Sequence, residues 1–128
     1  NQLIKKAYDV SERFFLKSTE YKQKWINQKI KQSGFIPFGT EHAKTSSLFD
    51  LKEFWQVVND FTSMNAPVQN IWTDDEEFNE TLKDLYKQFM KLSEILMRVV
   101  GEGIEMPKDY VEELVKDQNS VLRIIHYP

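Results

Sequence analysis

The sequence predicts an α+β fold, mainly α, and three observations carry that reading. A long stripe of apolar residues at helical spacing runs through positions 78–99, a shorter one opens the chain, and the chain closes on alternating apolar and polar residues rich in Val and Ile. The first two patterns bury one face of a helix, and the third buries one face of a strand.

In order along the chain, Leu3, Ala7, Val10 and Phe14 recur at helical spacing with Lys5, Lys6, Asp9 and Glu12 between them, which predicts an amphipathic opening helix. Ser18 or Thr19 caps a second short helix expected over 20–30, and Ser33-Gly34 ends it. The segment 34–39 holds two of the four glycines and Pro37, which cannot donate a ladder hydrogen bond, so it reads as an edge strand or an ordered loop. A polar loop follows over 40–47, then a short strand over 50–57, then a connection containing Pro67. Thr73 and Glu76 have capping-box spacing, with Asp74, Asp75 and Glu77 adding negative charge where a helix N-terminus favours it. Phe78, Leu82, Leu85, Phe89, Leu92, Leu96 and Val99 then form the stripe of a helix expected over 75–100 and ended by Gly101 or Gly103. This stripe is expected to pack across a sheet that the chain does not itself supply. Met106-Pro107 starts a further helix to about residue 116, with Pro107 at a tolerated first-turn position. The last eight residues read as a strand, with Val121, Arg123, Ile125 and Tyr127 on one face and Leu122, Ile124 and His126 on the other.

Composition narrows the function classes. The 128 residues suit one domain, and an aromatic content of 13% argues against disorder. A net charge of -3 offers no electrostatic reason to expect nucleic acid or an anionic membrane. Lys22, Lys24, Lys29 and Lys31 cluster, but on what reads as the solvated face of a helix. Cysteine is absent, which removes thiolate chemistry and fits a reducing cytoplasm, and no apolar run is long enough to span a membrane. The chain starts at Asn1 and stops on a strand that needs neighbours, so it is expected to be truncated.

Little in the sequence carries chemistry by itself. An iron site built from two histidines and one carboxylate usually starts with His-x-Asp or His-x-Glu on a strand. His42 is followed by Ala43-Lys44 and His126 by Tyr127-Pro128, so neither fits. His126 is expected to pack or hydrogen-bond beside the sheet, and His42 to be solvent-exposed. Phosphate loops, dinucleotide fingerprints and nucleophile elbows are absent. The aromatic residues at helical spacing read as core rather than as ligand stackers.

Four segments in order resemble the N-terminal region of the isopenicillin N synthase-like iron(II)- and 2-oxoglutarate-dependent oxygenases. They are Leu3-Ile4-Lys5-Lys6-Ala7-Tyr8 with Phe14-Phe15-Leu16 and Glu20-Tyr21-Lys22; Gly34-Phe35-Ile36-Pro37-Phe38-Gly39 with Asp50-Leu51-Lys52-Glu53-Phe54-Trp55; Asn70-Ile71-Trp72 with Met106-Pro107-Lys108-Asp109-Tyr110; and Leu122-Arg123-Ile124-Ile125-His126-Tyr127-Pro128. Lys17-Ser18 and Thr73 stand where the family often has proline.

The resemblance implies a helical region over 1–120, a first strand over 121–128, and a double-stranded β-helix (jelly-roll) core beyond Pro128. It implies an oxidoreductase that uses iron(II) and 2-oxoglutarate on a small organic substrate, with the iron ligands downstream and no cofactor held by this chain alone. The missing core would be its partner, and no nucleic acid or membrane is expected. Tyr127 matches a strand tyrosine that contacts co-substrate or substrate in relatives, while Ile125 stands where plant relatives often have a co-substrate-contacting Asn, whose hydrogen bond Ile cannot make. The rival expectation is a non-enzymatic helical module that binds a partner through the Phe78 to Val99 stripe.

Overall fold

A computed structural model describes residues 2–28, 32–41, 48–59, 69–107, 109–111, 113 and 120–128. Lys29, Lys31, His42, Pro67 and the 42–47 part of the expected polar loop lie outside the described residues. Within these residues helices and strands follow in the order α1 (Gln2–Phe15), α2 (Thr19–Gln23), β1 (Gly34–Ile36), β2 (Glu53–Val58), α3 (Glu76–Gly103) and β3 (Val121–His126). Helices combined with one small antiparallel sheet agree with the expected α+β class, mainly α.

The sheet has the order β1-β2-β3 and is antiparallel throughout, so β2 is central. Directly opposed residues share a face of an antiparallel sheet. Phe35 opposes Trp55, which opposes Ile124, and Glu53 opposes His126. These residues and Val57 therefore face the helices, as do Leu122 and Ile124. The alternation expected for the last strand is borne out, because Leu122, Ile124 and His126 are half-buried while Val121, Arg123 and Ile125 are exposed. Arg123 lays its guanidinium over the Phe54 ring on the opposite face and pairs with Glu41 at 3.2 Å. Lys52 joins the same carboxylate at 3.3 Å and Asp50 at 2.8 Å, and the Asp50 hydrogen bond, then that from Glu41, holds its ammonium pKa above the ordinary value.

Phe14 is the hub of the core. It stacks on Phe78 at 4.9 Å and meets Phe15, Phe35 and Trp55 edge-on at 5.3, 5.9 and 5.1 Å. Val10, Leu82 and Tyr86 close the same cluster. Helix α1 thus lies between α3 and the sheet, sealing both with a single apolar stripe. Ion pairs bridge the rim of α1 and α3, from Arg13 to Glu77 at 2.6 Å and from Lys6 to Glu77 at 3.5 Å, and the Arg13 guanidinium holds the Glu77 carboxyl below its ordinary pKa.

Several boundaries differ from the expected ones, each for a tertiary reason. Helix α2 ends at Gln23, well short of residue 30, because the Trp25 carbonyl accepts from the Phe35 amide at 3.0 Å and Ile26 bridges Gly34. The backbone there joins the sheet edge instead of continuing the helix. The close approach also demands Gly34, whose φ is +79° and whose added Cβ would stand 2.5 Å from the Trp25 oxygen. The second strand starts at Glu53 rather than Asp50, where pairing with β3 begins. Asp75, not Thr73, caps α3 by accepting from the Phe78 amide at 3.1 Å. Thr73 is held by Asn79 and accepts from the Asp75 amide at 3.1 Å, which shapes the turn before the cap. Helix α3 runs through Gly101, where an added Cβ would stand 2.5 Å from Val111, so this glycine lets the following segment pack close. The Tyr110 and Val111 amides both donate to the Pro107 carbonyl, which agrees with a helical turn starting at Pro107.

The long stripe divides. Phe78, Leu82 and Leu85 are buried within this chain, against α1 and β2, which corrects the expectation that the whole stripe faces a sheet from elsewhere. Phe89, Leu92, Leu96 and Val99 are exposed, together with Ile95 and Val100.

Tyr21 ties α2 to the start of α3 by donating its hydroxyl to Asp74. Burial first, and then Asp74, push the phenol pKa up from 10.0 to about 12. A pKa raised on folding means that the neutral phenol stabilises the fold below about pH 10, and that this contribution is lost as pH rises through 10 towards 12. Urea midpoints across this alkaline window should fall more steeply for the parent chain than for Tyr21→Phe. Equal slopes would show that the Tyr21–Asp74 contact does not carry the linkage.

Candidate functional site

The sheet face beneath α1 carries a cluster of ionisable side chains brought together from three segments. Ser18 caps α2 by accepting from the Tyr21 amide at 3.3 Å, and the next residue, Lys22, is thereby aimed back at the sheet rather than at solvent. Its ammonium donates to both carboxylate oxygens of Glu53, at 2.7 and 2.8 Å, and to the Phe15 carbonyl at 3.0 Å. Lys22 and Glu53 are 7% and 2% exposed, so this is a buried ion pair and not part of a solvated lysine face. That corrects the reading of Lys22 as a surface charge. Lys24 is exposed as expected.

Glu53 leads β2 directly opposite His126 at the end of β3, and the His126 Nδ1 lies 3.0 Å from Glu53 Oε1. An ionised carboxylate can only accept, so in this contact the His126 Nδ1–H is the donor. The ring is stacked on Phe15 at 5.1 Å with its plane 18° from parallel. Packing and a hydrogen bond beside the sheet were expected of His126, and both are found.

A groove of about 520 Å³ opens beside the cluster. Its apolar walls include Ile4, Phe15, Phe89, Leu122 and Ile124, and Ser11, Glu12, Arg123 and His126 add polar groups. Along one side runs β3, which among the described residues pairs only with β2. Tyr127 follows at 68% exposure. Among the described residues no group of three His, Cys, Asp or Glu is placed to hold a metal ion, and His126 and Glu53 are engaged with each other and with Lys22. These residues do not fit an iron site.

The cluster went unread in the sequence because its members are 31 and 73 residues apart. A signal was nonetheless present. Lys22, Glu53 and His126 fall in three different segments that carry the family resemblance, so those scattered similarities converge on one point of the fold.

Comparison with known proteins places this architecture in a class. The family described as non-haem dioxygenase in morphine synthesis N-terminal matches residues 1–80, more than half of the chain. Proline hydroxylase buaE of Petromyces alliaceus is 27% identical over 124 residues, covering 90% of this chain and 38% of its own length. A 2OG-Fe(II) oxygenase family protein of Caulobacter crescentus superposes with a TM-score of 0.85 at 30% identity, covering 99% of this chain and 43% of that one. The fold also matches a full-length Neurospora crassa protein solved in complex with alpha-KG, with a TM-score of 0.76 at 19% identity, covering 99% of this chain and 41% of that one. The fold is therefore that of the N-terminal region of 2-oxoglutarate oxygenases. The chain belongs to the non-haem dioxygenase N-terminal family, and it spans about two fifths of the length of these relatives.

Proposed function

We propose that the chain is the N-terminal part of an iron(II)- and 2-oxoglutarate-dependent oxygenase that oxidises a small organic substrate while 2-oxoglutarate is decarboxylated to succinate. The observation that carries this reading is the family match over residues 1–80, supported by similarity to oxygenases along nearly the whole chain. In this reading 1–120 is the helical region and 121–128 is the first strand of a jelly-roll core. The core pairs on the outer edge of β3, covers the exposed half of α3 and brings the iron ligands. Both surfaces have the chemistry for it. A strand edge that pairs with nothing among the described residues offers backbone donors and acceptors, and the exposed residues from Phe89 to Val100 offer an apolar face. Tyr127, exposed and on the Ile125 side of the strand, contacts co-substrate or substrate at the seam.

The rival module reading is weakened because Phe78, Leu82 and Leu85 are already buried in this chain. A reading frame that continues past Pro128 into His-x-Asp, and a product that forms succinate from 2-oxoglutarate with iron(II), is the expected result. Isothermal titration of the 128-residue chain should show no stoichiometric uptake of iron(II) or 2-oxoglutarate. A tight one-to-one site on this chain would overturn the division of labour.

A further inference from the structure

We infer that Lys22, Glu53 and His126 are positioning residues, which lock β3 in one register on β2 and so direct Tyr127 to the sheet face away from the helices. The lock stands on contacts within this chain. Its consequence for catalysis rests on the proposed role of Tyr127 as a co-substrate or substrate contact.

The apolar pattern of β3 does not by itself choose a register. Leu122 and Ile124 face the helices and are half-buried, yet Val121 and Ile125 on the other face are just as apolar and only 46% and 45% exposed. A strand with apolar residues on both faces loses little burial when it slips. Arg123 marks the outer face, but its pair with Glu41 is partly exposed, and ion pairs in such settings weigh little.

His126 supplies what the apolar residues do not. It forms the last pair of the β2–β3 ladder, opposite Glu53, and its Nδ1–H donates to Oε1 of that buried carboxylate at 3.0 Å. Glu53 is itself fixed, because Lys22 donates to both its oxygens at 2.7 and 2.8 Å. Phe15 closes the circuit, since its carbonyl accepts from Lys22 at 3.0 Å and its ring stacks on the imidazole at 5.1 Å. A slip would carry His126 off Glu53 and leave the buried carboxylate one donor short, a loss that the near-equal apolar faces cannot offset. Tyr127 follows directly, just past the last ladder pair and 68% exposed. Successive residues of an extended chain point to opposite faces, so an anchored His126 aims Tyr127 to the Ile125 side.

The test has two arms. In the 128-residue chain, NMR follows amide hydrogen exchange along β3 in the parent, in His126→Phe and in His126→Asn. The first variant keeps a ring on Phe15 but has no donor, and the second places a side-chain N–H where Nδ1–H stood. His126→Phe should speed exchange about five-fold at the His126 end of β3, as loss of one hydrogen bond predicts, and by no more than about two-fold at the Val121 end. His126→Asn should restore the parent pattern. A uniform change along β3, no change, or a His126→Asn variant no better than His126→Phe would overturn the lock. In the intact enzyme, affinity for 2-oxoglutarate and the rate of succinate formation are measured for Tyr127→Phe, His126→Phe and the two combined. Each single variant should lose about three- to ten-fold in the same readout. The double variant should lose no more than Tyr127→Phe alone, whereas a purely structural loss at His126 would add to it. An effect at Tyr127 with none at His126, or effects that add, would overturn the positioning role. If Tyr127→Phe changes neither readout, it is the reading of Tyr127 that fails, and the exchange arm still decides the lock.

Discussion

Replacing Lys22 by Met should destabilise the chain by about 3–5 kcal/mol, a large share of the roughly 5–15 kcal/mol that holds a domain of this kind folded. The reason is the company the ammonium keeps. Glu53 is 2% exposed at the head of the central strand, and Lys22 is its partner on both oxygens. Without it the carboxylate stays in a water-poor site with only His126 to meet its charge. The Phe15 carbonyl loses a donor as well. The double variant Lys22→Met/Glu53→Met removes both charges and fills the space with apolar volume, so it should recover to within about 1 kcal/mol of the parent. Urea denaturation of the parent, both single variants and the double variant measures the coupling. If the double variant is as unstable as either single one, the pair is not what holds α2 to the sheet.

Phe14→Ala should cost about 3–5 kcal/mol, since it removes a buried ring that contacts α1, β1, β2 and α3 at once. The loss should appear as a lower denaturation midpoint in the same assay. A contrast within the long helix makes the test specific. Leu82→Ala lies in the buried half and should cost about 2–5 kcal/mol, whereas Leu96→Ala lies in the exposed half and should change stability by no more than about 0.5 kcal/mol. A large effect at Leu96 would mean that the exposed half of α3 is covered in the isolated chain, by another copy or by residues outside those described.

The two halves of α3 illustrate what could be read from the chain and what could not. Phe78, Leu82, Leu85, Phe89, Leu92, Leu96 and Val99 form one continuous pattern in the sequence, and the pattern specifies one helix face correctly. Nothing in it marks the division after Leu85, where α1 and the sheet cease to cover the face. The same holds for α2. Its capping residue was legible, because Ser18 acts through bonds within one turn, but its end was not, because Trp25 and Ile26 are drawn off by Phe35 and Gly34 ten and eight residues away. Thr73 shows a third route to the same failure. Its spacing to Glu76 mimics a cap, yet Asn79 binds it from the next turn and Asp75 takes the position.

By itself the sequence determined the main helices and the last strand, their order, the apolar stripes of α1 and α3, the alternation of β3 and the family whose segments they resemble. These rest on periods of 3.6 and 2.0 residues and on short capping contacts, all of which are local. Only the tertiary structure decided that Lys22 is a buried charge, that Glu53 and His126 face each other across β2 and β3, and that the apolar groove opens beside them. Lysine has a long apolar stem and a strongly hydrated head, so its local pattern fits solvent equally well. A carboxylate partner 31 residues away in the chain, 2.7 Å away in space, is what makes its burial affordable.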